Sequence, residues 1–171
     1  MNQPVIRPFV PADEQGVLGL ILPIQQQEFG VAVTAEDQPD LRAIPSWYQT
    51  GRGGFLVAEH EGRIVGTIAM KDIGDLGSGT DRRGGGALRK MFVAADYRGR
   101  ERGVAAALLR SLLDASRGNG IGTVYLGTTD RFLAAHRFYE RSGFRPVAVE
   151  DLPKRFPRMA VDTRFYVIDL G

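Results

Sequence analysis

The passage Met91-Phe92-Val93-Ala94-Ala95-Asp96-Tyr97-Arg98-Gly99-Arg100-Glu101-Arg102-Gly103-Val104-Ala105-Ala106-Ala107-Leu108-Leu109 carries the plainest chemistry in this chain. It reads as a strand, a short basic glycine loop and an amphipathic helix. A helix start exposes unpaired backbone N–H groups and the positive end of the helix dipole, so it can bind phosphate. Glycine at 99 and 103 lets that backbone approach an anion closely, while the neighbouring arginines add charge. Between Arg82 and Arg102 there are seven basic residues against two acidic ones, Asp96 and Glu101, a local excess of five positive charges. This points to a compact anion such as a phosphorylated ligand. Two familiar phosphate loops fail by inspection: neither Gly-x-x-x-x-Gly-Lys-Ser/Thr nor Gly-x-Gly-x-x-Gly after a strand is present.

Composition narrows the classes further. At 171 residues, with 43% apolar and 25% charged residues, the chain suits one globular domain over residues 1–171. Lys and Arg number 22 against 20 Asp and Glu, so the whole is no polycation seeking nucleic acid. Nor are aromatic residues interleaved with the basic loop, as base-stacking platforms would require. No stretch reaches the roughly 20 consecutive apolar residues of a membrane helix, and Met1-Asn2-Gln3-Pro4 lacks a basic region followed by an apolar one. A cytoplasmic protein without a membrane partner is expected. The absence of cysteine excludes disulfides, cysteine metal ligands and an acyl-cysteine intermediate; no metal is expected.

Several elements must position the loop. Val5 to Phe9 reads as a first strand, and Asp13 can cap a helix carrying Val17, Leu18, Leu20, Ile21 and Leu22, which Pro23 should kink or shorten. A second helix is expected from about Asp37 to Tyr48. Phe55 to Glu59 and Ile64 to Met70 form a hairpin with Gly62 in the turn. Gly74 to Gly86, rich in glycine and charge, reads as a mobile surface connection. Leu88 to Val93 is a central strand, and the helix after Gly103 carries Val104, Leu108, Leu109, Leu112 and Leu113 on one face. Thr123 to Gly127 is a fifth strand, Arg131 to Arg141 a fourth helix, Phe144 to Val149 a sixth strand and Arg164 to Ile168 the last. This order gives a mixed α/β sheet of seven strands with helices on its faces.

Arg100-Glu101-Arg102-Gly103-Val104-Ala105 resembles motif A of the GNAT superfamily, Gln/Arg-x-x-Gly-x-Gly/Ala. Ala135-His136-Arg137-Phe138-Tyr139-Glu140-Arg141-Ser142-Gly143-Phe144 resembles that superfamily's motif B, Ala-x-x-Phe-Tyr-x-x-x-Gly-Phe. Both stand in the family's order with a strand between them, and the tail from Leu152 to Tyr166 looks like a branch of small bacterial members of unassigned acceptor. The resemblance implies a GNAT fold: mostly antiparallel strands, a parallel splayed central pair and about four flanking helices. It also implies acetyl-CoA as co-substrate and an amine acceptor. The loop from Val93 to Gly103 is longer than the commonest family form, and Phe132 stands where many members place an asparagine that touches the CoA arm.

By that resemblance, Arg98, Gly99, Arg100, Glu101, Arg102, Gly103, Val104 and Ala105 hold the CoA diphosphate. The backbone of Met91, Phe92 and Val93 holds the pantetheine arm, with an amide near Phe92 or Val93 polarising the thioester carbonyl. Phe138 should face the core and Tyr139 the cofactor. A phenol there can hydrogen-bond or protonate the departing sulfur, which makes Tyr139 the catalytic candidate. His136, three positions earlier on the same helical side, is either a cofactor contact or a satisfied structural histidine.

Some relatives place a glutamate on the fourth strand as base, but Leu88-Arg89-Lys90-Met91-Phe92 offers none; Glu28, Glu59 and Asp72 are the alternatives. Phe29, Trp47, Tyr48 and Phe156 fall in segments that border the acceptor pocket in the family. Arg82 and Arg83 read as a solvated loop or an anion contact. The implied activity is an N-acetyltransferase working on a primary amine of a small molecule or peptide through a ternary complex. A non-catalytic CoA-binding sensor or scaffold is the alternative. The sequence shows no dimer interface, and a homodimer stays open.

Overall fold

Hydrophobic alternation and glycine punctuation are realised as one seven-stranded sheet in a computed structural model that describes residues 2–76, 83–130 and 132–171. Its strands are β1 (Val5–Pro8), β2 (Gly54–His60), β3 (Arg63–Asp75), β4 (Gly84–Val93), β5 (Ile121–Thr128), β6 (Arg145–Pro146) and β7 (Arg164–Asp169). They lie in the order β1-β2-β3-β4-β5-β7-β6, and β4 with β5 is the parallel pair. The helices are α1 (Glu14–Pro23), the single turn α2 (Ile44–Trp47), α3 (Val104–Gly118) and α4 (Leu133–Arg141).

Alternation along the strands separates two cores. Ile68 and Met70 of β3 pack with Val104, Leu108, Leu109 and Leu112 of α3 and with Tyr139 of α4. Ala69, between them in sequence, packs with Val17, Leu18 and Ile21 of α1 and with Ile44 of α2. The β2–β3 hairpin turns on Glu61 and Gly62, both at positive φ, 53° and 78°, the conformation whose twist matches two antiparallel strands.

Four expectations change. Gly84, Gly85 and Gly86 are buried strand residues, not part of a surface connection; they pair with Asp75, Gly74 and Asp72 of β3 and with β5. The glycines answer a packing need: a Cβ on Gly86 would stand 2.5 Å from Met70 Sδ and 3.2 Å from Ile121 Cδ1. Residues 77–82 of that connection, Arg82 among them, lie outside the described residues, as does Arg131.

Helix 37–48 is broken into a 3-10 turn, Pro39–Arg42, and α2, because Pro39 and Pro45 each sit where a turn begins and can donate no hydrogen bond. Asp13 stands at the start of α1 but does not cap it. Its carboxylate instead accepts from Arg7 at 2.8 and 2.9 Å and from the Val10 N–H at 3.0 Å. The sixth strand shrinks to Arg145–Pro146, an edge position that tolerates a proline. As expected, α1 runs regularly only to Pro23; the backbone then widens into a π turn, Ile24–Glu28, closed by the Phe29 N–H on the Ile24 carbonyl at 3.1 Å.

Candidate active site

The site is built where β4 leaves β5. Parallel pairing runs from Gly84↔Ile121 to Leu88↔Leu126 and stops there, although β4 continues to Val93 and β5 to Thr128. A bulge drives them apart. Lys90 takes φ 55°, unusual for a residue with a side chain, and the β3 pairing slips between Thr67 and Ala69. The Thr67 hydroxyl holds the bulge by donating to the Lys90 carbonyl at 2.7 Å. Beyond it, Thr67↔Phe92 and Gly66↔Val93 keep β4 on β3, so its opposite backbone edge faces the gap.

At the far end of β4 the chain enters the glycine loop. Gly99 and Gly103 take φ 111° and 69°, and the amides of Arg102 and Gly103 both donate to the Gly99 carbonyl at 3.2 Å. Helix α3 starts directly after Gly103 with no capping side chain. Among the described residues the amides of Val104, Ala105 and Ala106 therefore meet no acceptor, which is the arrangement that receives an anion. A Cβ on Gly103 would touch nothing within 4 Å, leaving its approach open.

A cavity of about 640 Å³ joins these features, well within the range of small-ligand sites. Met91, Phe92, Val93, Arg98, Gly99, Arg100, Gly103 and Ala105 all line it, together with Phe138 and Tyr139. Glu101, Arg102, Val104 and His136 do not. Val104 is buried in the core, and Arg102 stacks its guanidinium over the Tyr97 ring at 5.4 Å.

His136 is 3% exposed and fully bonded: its Nε2–H donates to the Thr129 carbonyl at 2.9 Å and its Nδ1 accepts from Arg164 at 3.0 Å. These bonds, and its absence from the cavity wall, account for it as a structural histidine. Arg98 lines the cavity, yet its fork is engaged. It donates from Nε to the Val93 carbonyl at 2.8 Å and from both terminal nitrogens to Glu28, one of them at 2.9 Å. Arg100 makes no hydrogen bond or ion pair among the described residues, so it is the loop cation at hand for a phosphate.

Tyr139 is 5% exposed, its ring set against Phe144 at 5.6 Å and Tyr166 at 6.3 Å. The expected division, Phe138 inward and Tyr139 outward, is replaced by two neighbouring rings that both reach the cavity wall, with Tyr139 the more deeply buried. Its hydroxyl makes no hydrogen bond among the described residues. Burial raises the phenol above its ordinary value, so it stays protonated throughout the neutral range.

The three acidic candidates for a base are otherwise employed. Glu28 pairs with Arg98, which holds its carboxyl below the usual carboxylate range. Glu59 pairs with Arg7 at 2.7 Å, and Asp72 accepts the amides of Arg52 and Gly74 at 3.0 and 2.9 Å. None of the three lines the cavity.

A different carboxylate does. Asp162, in the irregular segment before β7, accepts the Met159 N–H at 3.0 Å through Oδ2 and lies against the bare backbone of Gly127 in β5. Burial raises its carboxyl, while the Met159 amide and the charges of Arg89, Arg158 and Lys90 pull it down. Lys90 also lines the cavity. Its ammonium is buried on Gln38 at 2.5 Å and near Asp40 at 3.5 Å, and burial pushes it down to about 8.

Of the expected aromatic residues, Phe29 and Phe156 line the cavity and Trp47 and Tyr48 do not. Tyr48 is fully buried and donates to Asp40 at 2.5 Å; Trp47 lies beneath the Lys71 ammonium at 5.0 Å. Phe132, in the place of the family's asparagine, meets Phe29 edge to face at 4.6 Å, so an apolar wall replaces a polar contact.

Comparisons with known proteins agree with this geometry. Residues 20–144 match the profile of the acetyltransferase (GNAT) family. An N-acetylaspartate synthetase of Xenopus tropicalis is 36% identical over 111 residues, which cover 64% of this chain and 38% of that protein. The chain spans less than half the length of the curated relatives it matches. Among solved structures, a GNAT-family acetyltransferase from Staphylococcus aureus Mu50 is 34% identical with a TM-score of 0.89, covering 98% of this chain and 99% of that one. A GNAT-family N-acetyltransferase of Escherichia coli, solved in complex with CoA, is 26% identical with a TM-score of 0.69, over 100% of this chain and 83% of its own.

Proposed function

Because the chain belongs to the GNAT acetyltransferase family, we propose that it is an N-acetyltransferase moving acetyl from acetyl-CoA to a primary amine of a small molecule or peptide. The observation that carries this reading is the gap beyond Leu88, where an unpaired edge of β4 leads to an uncapped α3 start inside one cavity. The residues present fit the cofactor. The amides of Val104, Ala105 and Ala106, with Arg100, would take the diphosphate, and the free edge of Met91 to Val93 would take the amide-bearing arm as an added strand. A β4 amide then lies beside the thioester carbonyl as an oxyanion donor.

Transfer is direct. The chain has no cysteine to carry an acyl group, and the same cavity extends past the gap to Phe29, Lys90, Phe156 and Asp162, leaving room for an acceptor beside the thioester. The attacking amine must be neutral. A lysine-like amine costs about 4.6 kcal/mol to deprotonate at pH 7, whereas a peptide α-amino group costs about 1 kcal/mol. Asp162 is the carboxylate in reach to accept that proton. As the C–S bond breaks, the Tyr139 hydroxyl donates to the developing thiolate. Burial raises its pKa and so weakens it as an acid, which makes it a hydrogen-bond donor more than a complete acid, since an ordinary thiol is the stronger acid of the two.

Release of free CoA thiol from acetyl-CoA, measured against a diverse panel of amines, tests the reading. Amine-dependent release, with N-acetylated product found by mass spectrometry, is the expected result. Tight CoA binding without turnover on any amine would instead mark a CoA-holding module.

A further inference from the structure

The cavity wall holds two opposite charges that form no ion pair among the described residues. Arg89 of β4 is half-buried and lines the cavity, yet its guanidinium has no hydrogen bond or ion pair among the described residues. Asp162 lines the same cavity and gives one oxygen to the Met159 amide; its other oxygen has no partner among the described residues. The two groups feel each other electrostatically without reaching ion-pair distance. Nearby Lys90 is engaged by Gln38 and Asp40; it acts on Asp162 only through space, without an ion pair, and is not the open cation. Both groups stand half-buried on one cavity wall with donors and an acceptor still open, so a ligand carrying both opposite charges would gain two charge-assisted contacts there.

We propose that the acceptor is a small zwitterion, an amino acid whose ammonium is met by Asp162 and whose carboxylate is met by Arg89. This deepens the N-acetyltransferase reading and rests on it. A planar guanidinium presents two parallel donors to a carboxylate, the geometry that would orient such a molecule and not merely attract it. The proton count closes. The ammonium gives one proton to the free oxygen of Asp162, and the neutral nitrogen forms its bond to the acetyl carbon as the carbon–sulfur bond breaks. The amide nitrogen then loses its second proton, sulfur leaves as the thiol, and Asp162 returns its proton to solvent. An amino acid also has particular need of such a carboxylate. Its own carboxylate makes the ammonium harder to deprotonate than that of a peptide N-terminus or an amino-acid amide. The apolar walls, Phe29, Phe156 and Met159, suit the remaining side chain and exclude water from the ion pairs.

The test needs no variant at first. Glycine, L-alanine, L-aspartate and L-phenylalanine are compared with their α-carboxamides by thiol release at saturating acetyl-CoA. The amides carry the more easily deprotonated amine, so intrinsic reactivity favours them; at least one acid is nevertheless expected to exceed its amide in kcat/KM by about tenfold or more, a charge-assisted contact's usual effect. Arg89→Gln, confirmed folded by circular dichroism, should collapse that ratio toward one through KM, and Arg89→Lys should restore part of it. Asp162→Asn should lower kcat for acids and amides alike. Turnover of the amides as good as or better than that of the acids would overturn the inference and leave the N-acetyltransferase reading standing. Absence of turnover on these and on a broad amine panel, with CoA binding intact, would overturn both.

Discussion

Replacing Tyr139 by phenylalanine removes one oxygen atom whose only proposed partner is the departing sulfur. The ring is buried, while the hydroxyl makes no hydrogen bond among the described residues and stays accessible from the cavity, so its loss orphans no protein group. Stability should therefore change by less than about 1 kcal/mol, because no protein hydrogen bond is lost and the ring keeps its packing. Catalysis should respond differently. A hydrogen bond to a charged partner contributes about 1.5–3 kcal/mol, which corresponds to a fall in kcat of about 10- to 150-fold. Acetyl-CoA affinity should stay within about twofold, since the thioester sulfur is a weak acceptor before it leaves. Urea unfolding, calorimetric titration with acetyl-CoA and kcat at saturating substrates separate these three effects. An unchanged kcat would remove the phenol from the reaction, and a stability loss above about 2 kcal/mol would mean that the hydroxyl serves the core instead.

Three further perturbations probe the neighbouring claims. Gly103→Glu should abolish CoA binding, because it sets a carboxylate at the uncapped α3 start; Gly103→Ala should bind within a few-fold of wild type and lose only about 1–2 kcal/mol of stability to the positive φ of 69°. Should the glutamate variant titrate like wild type, the diphosphate does not sit there. Gly86→Ala should cost about 1–3 kcal/mol in urea unfolding, since its Cβ would press on Met70 Sδ and Ile121; a neutral result would mean that the strand is looser than it is drawn. Lys90 should give folding a pH signature. Its folded-state value is lowered to about 8, so between there and its unfolded value near 10.5 the unfolded chain holds more protons, and stability should rise with pH across that window. Lys90→Met should flatten the rise; an identical slope in the two proteins would contradict the burial argument.

The parts of this molecule that were legible in advance are those encoded by neighbours in sequence. The strand, loop and helix from Met91 to Leu109, and the helix with its glycine stop from Ala135 to Gly143, each declare themselves within a short span and are present in the structure, whereas the strand expected to open at Phe144 is reduced to Arg145–Pro146. Gly84 to Gly86 misled because glycine marks both loose connections and strands packed too closely for a Cβ, and only the partner, here Met70, tells which. His136 is ambiguous alone; its role is decided by Thr129 and Arg164, which come from β5's end and from β7.

Asp162 was out of reach for the same reason. It belongs to no periodic segment, and it becomes part of the site through the Met159 amide and the bare backbone of Gly127, a strand away. Arg89 and Lys90 were visible as charge on a central strand. Their division of labour, one neutralised and one open, depends on Gln38 and Asp40 in a turn about fifty residues earlier.

At 18.7 kDa the protein suits amide NMR, and titration of the labelled chain with acetyl-CoA addresses the binding geometry residue by residue. Saturable shifts are expected at Gly99, Gly103, Val104, Ala105 and Ala106 and along Met91 to Val93, with β1 and β6 unmoved. Shifts confined to other surfaces, or none at millimolar acetyl-CoA, would contradict a diphosphate on the α3 start and a thioester in the gap between β4 and β5.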